Sequence, residues 1–177
     1  LRGGGTWLGV HGRRFAALTN VREPSRSPPP DAPSRGELVP SFLRADDAPL
    51  AWLSALEGDA YAGYNLLVSD GQTLAWGSNR GLEPQALGPG IYGLSNAQLD
   101  TPWPKVSRLR SRLERELERA TLDPERLLSL LQDEARPLDS ELPETGVGLA
   151  LERLLSPVLI RGEAYGTRSS MLVLGRA

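Results

Sequence analysis

Gly63-Tyr64-Asn65-Leu66-Leu67-Val68-Ser69-Asp70-Gly71-Gln72-Thr73-Leu74-Ala75-Trp76-Gly77-Ser78-Asn79 is the stretch whose reading decides the fold. Two runs rich in aliphatic and aromatic residues flank Asp70-Gly71, a dipeptide that tolerates the positive φ angles of a tight hairpin turn. The expectation is an antiparallel pair, residues 63–69 against 73–79. Upstream, residues 6–10 and 14–20 read as a second hairpin joined through His11-Gly12-Arg13, which places the only histidine in a turn.

Between these hairpins, residues 21–34 carry Pro24, Pro28, Pro29, Pro30 and Pro33, so neither a helix nor an interior strand forms there. A loop of this length inside a compact domain covers a site or is plain solvated surface, and Arg22, Arg26 and Arg35 lie where an anion could be met. Helical signals follow over residues 34–43. A second helix is expected with Asp47 as cap, Pro49 in its first turn, and Leu50, Leu53 and Leu56 at helical spacing.

Downstream, residues 91–95 read as a short strand ending at Asn96. A helix over residues 101–120 is expected to open at Pro102, capped by Asp100 or Thr101, with Val106, Leu109, Leu113 and Leu117 on one face and alternating Arg and Glu on the other. Asp123-Pro124-Glu125 opens a further helix, residues 145–155 another, and 158–160 with 166–174 read as closing strands. Hairpins at both ends with helices between them indicate an α+β fold of stacked antiparallel sheets covered by helices.

The strand-to-helix junction at Gly90–Val106 is where chemistry is most expected. The Asn96 amide there could donate to a developing oxyanion, or could only tie down its own turn.

Composition removes whole classes of function. The 177 residues are 40% hydrophobic and 24% charged, as in one soluble globular domain. A net charge of −2 offers no global basic field for nucleic acid. Lys105 is the only lysine among the 20 basic residues, a bias that also suits carboxylate or phosphate clamps. There is no Cys, hence no disulfide and no thiol chemistry from these residues, and one His without Cys argues against a transition-metal cage. No apolar run reaches the ~20 residues of a membrane span. No glycine-rich dinucleotide loop, phosphate-loop lysine or Gly-x-Ser-x-Gly elbow occurs, and Gly3-Gly4-Gly5 is a lone glycine run suited to a tight connection.

Several segments in order along nearly the whole chain carry a family resemblance: Gly4-Gly5-Thr6-Trp7-Leu8-Gly9-Val10, Ala17 to Arg22, Ser34 to Val39, Tyr64 to Val68, Ser78-Asn79-Arg80, Gly90 to Val106 and Tyr165 to Ser170. Together they resemble the NRDE family of transport and Golgi organisation protein 2-like proteins. That family's naming motif and its Cys after the initiator Met belong to a segment before Gly4-Gly5-Thr6-Trp7. The expectation is one family domain over 1–177 lacking its N-terminal segment, with any targeting signal also before Leu1 and a cytoplasmic location.

The family is similar in fold to N-terminal-nucleophile (Ntn) hydrolases of the penicillin V acylase and bile salt hydrolase branch, two antiparallel sheets between helical layers. In that branch a terminal Cys attacks an amide carbonyl, its α-amine acts as base, and Asn side chains steady the oxyanion. The resemblance implies Asn96 as oxyanion donor, Asn65 as a second amide donor, and Arg168 as the late cation that keeps the thiol environment electropositive. The substrate class would be a non-peptide amide, with the nucleophile outside this sequence and no resident cofactor. The alternative implied is a non-catalytic binding and trafficking protein for haem or acyl-lipid, which would need a ligand such as His11 or Met171 at a pocket.

Overall fold

The computed structural model describes residues 4–81 and 83–175, so Leu1 and Gly3 lie outside the described residues. These fall into two compact units. One runs through Gly90 and includes Leu94–Leu99; the other comprises Ile91–Gly93 and the chain from Asp100 onward.

The first unit is built on a five-stranded antiparallel sheet in simple meander order: β1 (Leu8–His11), β2 (Arg14–Asn20), β3 (Tyr64–Ser69), β4 (Leu74–Ser78) and β5 (Gln85–Leu87). Successive side chains alternate between faces. One face presents Ala16, Leu18, Leu66, Val68 and Ala75 to α1 (Leu38–Arg44) and α2 (Pro49–Ser54), whose Leu38, Val39, Phe42, Trp52 and Leu53 complete the core. Phe42 and Trp52 meet edge to face, with centroids 5.1 Å apart. Gly77 lets α2 approach β4, since a Cβ there would stand 3.0 Å from Leu53 Cδ2.

The central hairpin forms, but with a longer turn and so a shifted register. Ser69 pairs with Leu74, and Asp70 to Thr73 form the connection. Asp70 Oδ1 accepts from the backbone N–H of both Gln72 (2.9 Å) and Thr73 (2.8 Å), so the carboxylate organises four residues rather than two. The first helical region opens with a single 3-10 turn at Arg35–Glu37 before α1, and α2 is capped by Ala48 rather than Asp47. β5 had no signal, since Gln85–Leu87 is a three-residue edge strand with Gln85 and Ala86 exposed.

The second unit contains α3 (Pro104–Leu117), α4 (Pro124–Ser129) and α5 (Leu149–Leu155). Helix α3 starts two residues later than the proline pattern suggests, with Trp103 at the cap and Pro104 first in the helix. Asp100 does not cap it. At φ +59° it turns back, its Oδ1 accepting from Gly93 N (2.7 Å) while its own N–H donates to Gly93 O (2.7 Å). Helix α4 is capped as expected, with Asp123 Oδ1 accepting from Glu125 N and Arg126 N.

Asp133, nearly buried, is held by Arg108 (3.4 Å) and Arg112 (3.1 Å) of α3, so part of that helix's charged face grips a neighbour instead of only meeting solvent. Glu152 on α5 is buried and accepts from Thr145 N (2.8 Å) and Thr145 Oγ1 (2.5 Å).

Two strand expectations are corrected. Residues 91–95 make no ladder, their polar groups being taken by side chains and loops. Residues 158–160 and 166–174 meet only around Ile160 and Thr167, where Thr167 N donates to Ile160 O (2.9 Å) and Ile160 N to Thr167 Oγ1 (2.9 Å). A strand exists only where a neighbour accepts its ladder, and Met171 to Leu174 lie exposed without one. Among the described residues there is therefore one sheet, and the class is α+β.

The core predicts its own sensitivity. Phe42→Ala removes a fully buried ring from between the sheet and Trp52 and should cost about 3–5 kcal/mol. Urea unfolding should show a lower midpoint, and an unchanged midpoint would mean that α1 does not pack as described.

Candidate functional site

Asn65 lies on the sheet face opposite the α1–α2 core, second in β3, and is fully buried. Its Nδ2 donates to Thr19 Oγ1 (3.3 Å), opposite it on β2, and to Ala97 O (2.9 Å). Ala97 O can only accept, which assigns the nitrogen to that side of the carboxamide.

These bonds fasten residues 94–99 across the ends of β2 and β3 as a strap. Thr19 Oγ1 donates to Ser95 O (2.7 Å) and Arg22 N to Asn96 O (2.7 Å), so three successive strap carbonyls are satisfied by sheet and loop. Asn96 Nδ2 returns a bond to Asn20 O (3.0 Å). The structure thus joins Asn65 and Asn96 through the strap, but both hydrogens of the Asn65 amide are committed to structure. Asn96, half-buried, has one N–H directed to Asn20 O and carries a second.

Among the described residues, two atoms on this face have no partner. Asn65 Oδ1 and Trp76 Nε1 are both closed off from solvent and unbonded. Asn65 pairs with Ser78 and Trp76 pairs with Leu67, so Asn65 and Trp76 are diagonal neighbours on one face. This face thus holds one acceptor and one donor that each carry the penalty of an unmet hydrogen bond. Trp76 was not singled out from sequence. A strand pattern carries no signal of whether an indole N–H finds a partner.

A second polar node closes the start of the proline-rich loop. Arg80 donates Nε to Glu23 Oε2 (2.7 Å) and Nη2 to Glu23 Oε1 (2.6 Å), and Gly63 N reaches Glu23 Oε1 at 3.2 Å. The Arg80 hydrogen bond is the main cause that holds the Glu23 carboxyl below its ordinary value, against the opposing effect of burial. Asn79 supports the node from behind, accepting from Tyr64 N (2.8 Å) and donating to Gly58 O (2.8 Å). The sequence offered Ser78-Asn79-Arg80 as a motif, but nothing local named Glu23, 57 residues away, as its partner.

Arg168 is exposed, in the irregular chain after α5 of the second unit. His11 is exposed at the β1–β2 turn and Met171 is 55% exposed. Among the described residues no group of three or more His, Cys, Asp or Glu side chains is placed to hold a metal ion, and no helix is long and apolar enough to cross a membrane.

The family model for Transport and Golgi organisation 2 matches residues 1–177. The chain belongs to that family. Its mouse relative, Transport and Golgi organization 2 homolog, is 35% identical over 190 residues, covering 98% of this chain and 68% of the relative. The Bos taurus homolog is 38% identical over 193 residues, covering 97% and 67%. The human homolog is 36% identical over 188 residues, again covering 97% and 67%. The family reading drawn from the quoted segments therefore stands across the whole length of this chain.

Acid should release the Glu23–Arg80 node. With the folded pKa of Glu23 below the unfolded one, its contribution is present above the ordinary value of 4.5 and is lost as pH falls through the folded value. Melting temperature followed from about pH 6 to about pH 3 should fall less steeply in Glu23→Gln than in the parent. Parallel curves would show that the pair carries no linkage.

Loss of the Asn65 carboxamide should free the strap. Asn65→Ala leaves Ala97 O without its donor, at a cost of about 1–3 kcal/mol. Hydrogen exchange should quicken first at Arg22 N, which is bonded to the strap at Asn96 O, and unchanged exchange there would contradict the strap's dependence on Asn65.

Proposed function

We propose that these residues are the substrate-holding body of an Ntn-like amidohydrolase acting on a non-peptide C–N amide. The observation that carries this reading is the two orphaned atoms on one sheet face, the Asn65 Oδ1 acceptor and the Trp76 Nε1 donor. A secondary amide has the complementary pair: its N–H answers Asn65 and its carbonyl oxygen answers Trp76. The resemblance to the penicillin V acylase branch points to the same bond class.

Roles then divide by what each side chain has available. Asn65 orients the amide through its oxygen, because its N–H groups hold the strap. Asn96 uses its second N–H toward the charge that develops on the carbonyl oxygen. The nucleophile is a Cys, which none of the 177 residues supplies, so it comes from outside them. Both orphaned atoms are closed off from water, so a substrate reaches them only through a local opening of this face.

The test is turnover of an acyl-amide panel by the full-length gene product that contains these residues. Asn96→Ala should lower kcat by about 100-fold or more with the thermal melt retained, in line with the loss of one oxyanion donor. Trp76→Phe, which keeps the ring and removes the N–H, should raise KM more than it lowers kcat. No hydrolysis of any acyl amide, or full activity in Asn96→Ala, would overturn the reading.

A further inference from the structure

The proline-rich loop does more than connect β2 to α1. It closes one side of a cleft of about 380 Å³ within the first unit, lined among others by Trp7, Pro28, Pro33, Ser34, Arg35 and Ala62. Two glycines make its floor possible. A Cβ on Gly5 would stand 2.4 Å from the Gly36 carbonyl carbon, and Thr6 N donates to Gly36 O at 3.0 Å, so two backbones cross in contact. Any side chain at Gly5 would force them apart.

Arg35 is the charged group in this cleft. One of its five N–H bonds goes to Gly63 O at 2.7 Å. Among the described residues no carboxylate stands within ion-pair distance of it. Glu23, the acid that acts on it electrostatically, has both oxygens engaged by Arg80. Burial pulls the Arg35 guanidinium below its ordinary value, Glu23 opposes this and Arg80 adds to it, which describes a cation whose own fold does not fully compensate it. Trp7, 55% exposed, and the two proline rings give the same cleft an apolar wall.

We propose that this cleft binds a small organic carboxylate, its charge on the free N–H groups of Arg35 and its apolar body against Trp7 and the proline rings. A planar guanidinium receives a carboxylate through two parallel hydrogen bonds, and the cleft's volume lies in the range that holds a ligand of roughly ten carbons. The site is independent of the amide reading above, since none of its lining residues is Asn65, Trp76 or Asn96.

Calorimetric titration of the full-length gene product with decanoate, decanol and inorganic phosphate tests it. Decanoate should bind saturably. Decanol, with the same body and no charge, and phosphate, with charge and no body, should each bind at least about tenfold more weakly, a difference of ~1.4 kcal/mol. Arg35→Gln should weaken decanoate by a similar factor. Trp7→Ala, at an exposed ring, should weaken decanoate while leaving the melting temperature unchanged, and it carries the test if Arg35→Gln does not fold. Absent saturation with decanoate, equal binding of decanol, tighter binding of phosphate, or undiminished decanoate affinity in either variant would overturn the proposal.

Discussion

The polar face of the first unit's sheet is arranged around one buried carboxamide. Asn65 sits in the central strand with no exposure, and its two N–H groups bind Thr19 across the ladder and Ala97 over the sheet. Burial of an amide is tolerable only when its hydrogen bonds are met, and here meeting them draws residues 94–99 down onto the sheet. Ser95 O, Asn96 O and Ala97 O are then all satisfied at once, and Asn96 acquires its position at the end of β2. The unmet oxygen of the same side chain is what makes this face chemically interesting rather than merely closed.

The two faces of the sheet consequently have different characters. Toward α1 and α2 the contacts are aliphatic and aromatic, and the stabilisation is apolar burial. On the other face, Thr19, Asn65, Ser78 and Trp76 bring hydroxyl, amide and indole groups to the rows where a wholly apolar surface would have packed more simply. Beyond the end of β4, Glu23 and Arg80 add a nearly enclosed ion pair that fixes where the proline-rich loop begins. A fold that keeps buried polar groups incompletely paired carries a destabilising burden, and such burdens concentrate where a ligand is to be recognised.

Family membership and the site stand on different footings. The family was legible because its segments keep their order and spacing along the whole chain, and the matched relatives bear it out. Asn96 was singled out from a strand-to-helix junction, but the strand at residues 91–95 does not form. Its bond to Asn20 O was not legible, because residues 76 apart in sequence leave no local signal of contact. Trp76 was hidden for a subtler reason: a strand pattern shows which face a ring enters but never whether its N–H finds an acceptor.

What the sequence by itself determined were the elements whose cause is local: the β1–β2 and β3–β4 hairpins, α4 with Asp123 at its cap, the proline-rich loop, and the α+β class that follows from them. Periodicity, turn chemistry and proline sterics act within a few residues, so they are readable without coordinates. Tertiary structure alone decided that residues 91–95 and 166–174 are not strands, since a ladder needs a partner as well as propensity. It also decided that Asp100 turns back on Gly93, that Glu23 meets Arg80, and that an acceptor and a donor are left unpaired on one face. Each of these is a pairing between distant residues, and hydrogen-bond satisfaction is settled only once the whole chain has chosen its neighbours.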